Sequence, residues 1–181
     1  MSSRIPESVA PPIPAEGVFA EEVAGLFDRF RAPLLRYLLS VGLPIADGEE
    51  ILQDVFVALF RHLERGRPLE NVRGWLFRVA HNLALKRRVR KRRDAEGGDA
   101  GPVVDPEPNP EDRFARVQSR RRMLAAVDAL PERDRRCLFL RAEGLRYREI
   151  AEVLGMSLGA VSQSLARSLS RIAGCAERSG L

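Results

Sequence analysis

The stretch YREIAEVLGMSLGAVSQSLARSL, Tyr147 to Leu169, decides how the chain folds. Tyr147 to Leu154 has helical spacing and ends at Gly155, the residue type best suited to the positive φ just past a helix end. Ser157 then stands where its hydroxyl can cap a second helix beginning at Leu158. Ala151 is small enough for two helices to cross closely, and Val161 and Leu165 give the second helix an apolar underside. The joint spacing of Ala151, Gly155 and Val161 is that of a helix-turn-helix, whose second helix enters a DNA major groove.

Working back from this motif, Pro131 opens a helix with Cys137, Leu138 and Leu140 as its apolar members, and Gly144 closes it. Phe114, Val117, Met123, Leu124, Val127 and Leu130 carry helical periodicity through Arg113 to Leu130. Asp94 to Asp112 is Gly, Pro, Asp and Glu with almost nothing to bury, which predicts a flexible acidic linker. Upstream, a helix near Val72 to Arg93 has Leu76, Phe77, Ala80, Leu83 and Ala84 as its buried stripe, with Trp75, Arg78, Asn82 and Lys86 on another, exposed face. A helix from Asp47, read as its N-cap, to Leu63 buries Ile51, Leu52, Val55, Phe56, Leu59 and Leu63. Its opposite face carries Glu49, Glu50, Gln53, Asp54 and Val57. A first helix runs from Val18 to Val41, with a kink expected at Pro33 because the ring removes a backbone donor and crowds the carbonyl of Arg29.

These elements predict an all-α chain of two small helical domains, residues 18–93 and 113–181, joined by the acidic linker 94–112 and preceded by a disordered tail, Met1 to Gly17. No signal peptide, anchor or membrane-spanning apolar run is read in the sequence. A cytoplasmic protein fits, and Cys137 and Cys175 match no metal or redox spacing.

The formal charge is +5, and its distribution says more than the sum. Arg73 to Arg93 holds 9 basic residues and no acidic one, Asp94 to Asp112 holds 7 acidic and no basic ones, and Arg113 to Leu181 holds 14 basic against 7 acidic. Two basic blocks separated by an acidic segment fit two contact points on one polyanion, since each Lys or Arg set against a phosphate releases condensed counterions. The run Lys86 to Arg93 reads as nucleic-acid binding more readily than as a solvated helix end, because so many like charges repel unless a polyanion neutralises them. His62 and His81 read as packing or surface residues. No phosphate-binding Gly loop, metal-ligand pair or nucleophile setting is found, so catalytic residues, cofactors and metals are all read as none.

Taken together, Glu49-Glu50-Ile51-Leu52-Gln53-Asp54-Val55-Phe56, Gly74-Trp75-Leu76-Phe77-Arg78-Val79-Ala80-His81-Asn82, Ala129-Leu130-Pro131-Glu132-Arg133 and Tyr147 to Leu165 resemble the extracytoplasmic-function family of RNA polymerase sigma factors. The resemblance covers roughly Phe19 to Ala173, with the motifs in family order. It implies a non-enzymatic factor that binds core RNA polymerase, directs it to promoter DNA and helps melt it. It assigns Glu49, Glu50, Gln53, Asp54 and Val57 to the clamp helices of the largest subunit, with the flap as a further polymerase contact. Arg65, Arg67, Arg73, Trp75, Arg78, Asn82, Lys86, Arg87, Arg88, Arg90 and Lys91 are assigned to the minus-ten element and to melting. An amide such as Asn82 can bond an unstacked base edge, and an aromatic ring such as Trp75 offers a stacking face. Arg146, Tyr147, Ser157, Leu158, Gly159, Ala160, Ser162, Gln163, Arg167 and Arg171 are assigned to the minus-thirty-five element. An anti-sigma factor, which in this family usually wedges between the two domains, is a further possible partner. The chain departs from the family where Ser162 and Ser164 replace the usual Lys and Arg, leaving Gln163, Arg167 and Arg171 as the polar reach of that helix. The competing readings are a stand-alone helix-turn-helix regulator working as a dimer and an adaptor whose basic block is incidental.

Overall fold

A computed structural model of the chain describes residues 16–94 and 123–177. The first group of helices is α1 (Glu16–Ser40), α2 (Ile45–Glu64) and α3 (Val72–Asp94). The second comprises α4, of which residues 123–128 are described, then α5 (Glu132–Ala142), α6 (Tyr147–Leu154) and α7 (Leu158–Glu177). The expected tail from Met1 to Ala15 and all of the expected linker beyond Asp94 lie outside the described residues.

Two helix starts differ from the sequence reading. α1 begins at Glu16, within the expected tail, and continues through Pro33, where Leu34, Tyr37 and Leu38 are all fully buried. Burying those side chains, at about 1.5–3 kcal/mol each, outweighs the lost backbone bond. α2 begins at Ile45 after Pro44, which sits in the extended region at φ −66° and ψ 157°, so Asp47 lies inside the first turn and is not the cap. Asp47 is instead 8% exposed and accepts Arg87 and Lys91 from α3.

The core of the first group is built from Phe30, Leu34, Tyr37 and Leu38 of α1, Ile51, Leu52, Val55 and Leu59 of α2, and Leu76, Phe77, Ala80 and Ala84 of α3. The Tyr37 hydroxyl lies 2.7 Å from His81 Nδ1 in the middle of it, and the Tyr37 and Phe77 rings meet edge-on. Burial raises the Tyr37 phenol above its ordinary range and pushes His81 down to about 4, so the bond runs from the phenol O–H to a neutral imidazole. His81 is thus a satisfied core residue, 4% exposed.

In the second group, Cys137, Leu140, Leu145, Ile150, Val153, Val161 and Leu165 form the underside of the helix-turn-helix. Gly155 holds φ 62°, as its place after α6 requires, and Ser157 Oγ accepts the Ala160 amide at 3.2 Å to cap α7. α5 packs on α1 and α6 on α3, so the two groups share one hydrophobic cluster. Among the described residues, no helix is long and apolar enough to cross a membrane.

The His81 environment sets a pH dependence. With a folded pKa near 4 against 6.5 for the free side chain, the unfolded chain takes up a proton that the folded chain refuses. Stability from this group is complete above pH 6.5, declines as the pH falls, and is fully lost near pH 4. At pH 5.5, NMR of the His81 ring should still report a neutral imidazole; a protonated ring would contradict the buried bond to Tyr37.

Candidate nucleic-acid and protein interfaces

The outer face of α2 presents Ile45, Glu49, Gln53 and Val57 in one row at four-residue spacing, with Asp54 beside it, and all are exposed. Ile45 is 54% exposed and Val57 47%, so two apolar side chains bracket a polar centre. Ile45 was absent from the sequence reading, although its position four residues before Glu49 places it on the same face. Glu50 differs from its neighbours in being tied sideways to Arg87 at 2.6 Å. The bond to Arg87 holds its carboxyl below the usual range.

The basic residues of α3 divide by direction. Arg87 reaches both Glu50 and Asp47, and Lys91 also reaches Asp47, so these two brace α3 against α2. Arg88 bonds Glu132 of α5. Lys86, Arg90 and Arg93 line a shallow outer groove with Leu85 and Val89. Arg78 and Asn82 are exposed one turn apart, and Arg78 lies 3.9 Å from Glu152 of α6. Trp75 is half-buried against the core, its ring 5.2 Å from that of His62, so one part of the indole is spent on packing. His62 thereby joins this site from a different helix, a neighbour that no local pattern marks. Arg65 and Arg67 are exposed in the preceding loop.

Asn71 caps α3, its Oδ1 accepting the Gly74 amide at 2.9 Å, while its Nδ2 donates to Glu149 Oε1 at 2.9 Å. Glu149 Oε2 in turn accepts the Arg146 amide at 2.7 Å and caps α6. One carboxylate therefore joins the N-termini of a helix from each group. Arg73 lies so close to Gly144, at φ 85°, that a Cβ there would be 2.4 Å from its Nη1. The bidentate pair of Arg36 with Glu143, both bonds 3.0 Å, completes this seam.

On α7, Leu158, Gly159, Ser162, Gln163, Ala166, Arg167, Ser170 and Arg171 are exposed, and Ala160 is half-buried. Tyr147 is 41% exposed at the start of α6, with the Arg141 guanidinium over its ring. Ser164 is fully buried and donates to Asp134 of α5. The same carboxylate accepts Arg167 Nε at 3.2 Å and Nη2 at 2.9 Å. Arg167 and Ser164 together hold the Asp134 carboxyl below its usual range. Sequence reading passed over Asp134, which the fold brings to α7 from thirty residues upstream. Among the described residues no group of three His, Cys, Asp or Glu side chains is arranged for a metal ion.

Sequence comparison matches residues 26–94 to Sigma-70 region 2 and residues 120–172 to Sigma-70, region 4. The sigma factor CnrH of Cupriavidus metallidurans is 33% identical over 81% of this chain and 82% of its own length. The chain belongs to the extracytoplasmic-function sigma factor family. SigE of Mycolicibacterium smegmatis is 35% identical over 67% of this chain, a match that spans 48% of that longer relative. RpoE of Cereibacter sphaeroides is 29% identical over 87% of this chain. Among solved structures, CnrH with the cytosolic domain of CnrY gives a TM-score of 0.55 at 24% identity, covering 90% of this chain and 97% of that one. The sigma factor RpoE of Bartonella quintana with the anti-sigma factor NepR gives 0.62 at 18% identity, covering 88% and 97%. At these identities the two structures speak to the fold.

In this sigma factor the region 2 match covers most of α1 and all of α2 and α3, and the region 4 match runs from residue 120 into α7. The Asp134 brace lies wholly within region 4. Asp134→Ala should leave the Ser164 hydroxyl buried without an acceptor and release Arg167. The expected loss is about 1–3 kcal/mol of stability, read by chemical denaturation. An unchanged midpoint would mean that the brace holds nothing together.

Proposed function

We propose that this sigma factor divides promoter recognition between its two heads, with α2 gripping core RNA polymerase, α3 handling the minus-ten element, and α7 seating in the minus-thirty-five element. The observation that carries this reading is the pairing, on one small head, of an acidic row bracketed by apolar side chains on α2 with a basic, amide-bearing face on α3. A regulator working alone as a dimer needs one DNA-reading helix per subunit and has no use for the α2 row. In the proposed division, Ile45 and Val57 are apolar anchors and Glu49, Gln53 and Asp54 supply the polar contacts of the polymerase joint. Arg78, Asn82, Trp75 and the exposed arginines of the 65–67 loop receive the unstacked strand, and Lys86, Arg90 and Arg93 track its backbone. The polymerase supplies the chemistry, so the chain itself acts as a non-enzymatic cytoplasmic factor. An anti-sigma partner belongs to the same reading, since CnrH and the Bartonella RpoE were each captured with another protein.

The proposal requires the heads to part. The two promoter elements are roughly 25 base pairs apart, about 85 Å at 3.4 Å per base pair, while Arg36 and Glu143 are in direct contact. The 19 residues of the 94–112 linker can reach about 65 Å when fully extended, and the heads at its two ends, with helices roughly 30–35 Å long, make up the remainder. That is enough to span the gap.

Two measurements test this assignment. The double variant Gln53→Ala with Asp54→Ala should weaken binding to core polymerase about tenfold or more, roughly 1.4 kcal/mol. Affinity at the wild-type level would remove α2 from the joint. With dyes on cysteines introduced at Ala32 and Ala142, on either side of the Arg36–Glu143 pair, energy transfer should be high in the free chain. It should drop on addition of core polymerase and promoter DNA, and transfer that stays high in the transcribing complex would rule out the two-headed mode.

A further inference from the structure

We infer that Gln163 is the base-reading residue of α7 and that it selects an A·T pair within the upstream promoter element, an inference that rests on the proposed role of α7. The fold withdraws one side of α7 from any DNA partner. Val161, Ser164, Leu165 and Ser168 all point into the domain, each no more than 2% exposed, so the serine at 164 is a packing residue committed to Asp134. Arg167 is exposed but spends its Nε edge on the same carboxylate through two bonds, which holds the guanidinium at the flank of the helix. There its remaining N–H groups suit a phosphate.

At 100° per residue, the exposed arc between these limits runs from Leu158 and Leu169 at one edge through Ser162, Ala166, Gly159 and Ser170 to Gln163 at the other. Its middle is Gly159 and Ala166, with serines on either side, so the helix surface is nearly flat and carries no charge. A flat surface lets the backbone sit close to the base edges. Only one side chain on the arc is both long and able to donate and accept from one planar group, and that is Gln163. Its amide matches the N7 acceptor and N6 donor that adenine alone presents together in the major groove. Ser162 can bond any base and specifies little, while Ala166 and Leu158 offer apolar contact to thymine methyl groups. With no Lys or Arg on this arc, bidentate reading of guanine has no donor there. Arg167, Arg171 and the capped N-terminus of α7 then supply position and affinity while Gln163 supplies discrimination.

The test uses the full chain with core polymerase on a promoter library whose upstream element is randomised, recovering bound sequences for the wild type, Gln163→Ala and Gln163→Glu. The wild type should select adenine at one position by roughly 10- to 100-fold over other bases. Gln163→Ala should lose that preference and keep those at neighbouring positions. Gln163→Glu should move it to cytosine, whose N4 amino group donates to a carboxylate. Gln163 is exposed, so circular dichroism and core-polymerase affinity should match the wild type in both variants, which separates a reading defect from misfolding. Retention of the wild-type pattern by both variants overturns the assignment of Gln163 while leaving α7 as the promoter helix. A wild-type complex with no upstream preference at all overturns both.

Discussion

Between Arg73 and Arg93, α3 carries nine positive charges and no negative one, and Asp94 at its last position is the helix's own acidic residue. Like charges one turn apart oppose helix formation, and the rest of the structure is arranged around relieving them. Asp47 and Glu50 of α2 take Arg87 and Lys91, Glu132 of α5 takes Arg88, and Glu152 of α6 stands near Arg78. The acids come from both heads. What neutralises α3 on its inner flanks therefore also fixes how it is placed, and the groove formed with Lys86, Arg90 and Arg93 is turned outward.

The joint between the heads follows from the same need. Glu149 caps α6 and bonds the residue that caps α3, so a single carboxylate satisfies groups at two helix ends that would otherwise need separate partners. Gly144 leaves room for Arg73, and Arg36 grips Glu143 in a bidentate pair. Exposed ion pairs of this kind are each worth about 0–1 kcal/mol and weaken with salt. Tyr37 with Phe77 in one head and Cys137 with Leu140 in the other are fully buried, and all four belong to one hydrophobic cluster that crosses the joint. The seam also carries apolar contact, since α5 packs on α1 and α6 on α3 within one hydrophobic cluster, so a larger partner that opens it must cover the apolar surface this exposes.

Helix α7 shows how a departure in sequence becomes intelligible in three dimensions. Ser164 interrupts the basic pattern usual in sigma factors, yet its side chain is fully buried. It and Arg167 lie three residues apart on one side of α7, where Asp134 gathers both. The outcome is an exposed face of α7 made mostly of small side chains, flanked by an arginine held in place by Asp134.

Period and punctuation alone placed the helices of this protein, apart from where α1 and α2 begin. The stripes through Ile51 to Leu59 and Leu76 to Ala84, Gly155 after α6 and the Ser157 cap were all legible, because helical spacing and left-handed turns are local demands. Charge blocks and four ordered motifs were enough to reach the family and the candidate faces on α2, α3 and α7. Three matters waited for the tertiary structure: that Asp47 is an ion-pair acceptor rather than a cap, that Trp75 spends part of its ring on His62, and that Asp134 governs Ser164 and Arg167. Each depends on a partner from another helix, in the last case thirty residues away. A linear pattern records which side of a helix a residue occupies, whereas the neighbour it meets there is chosen by how the helices cross.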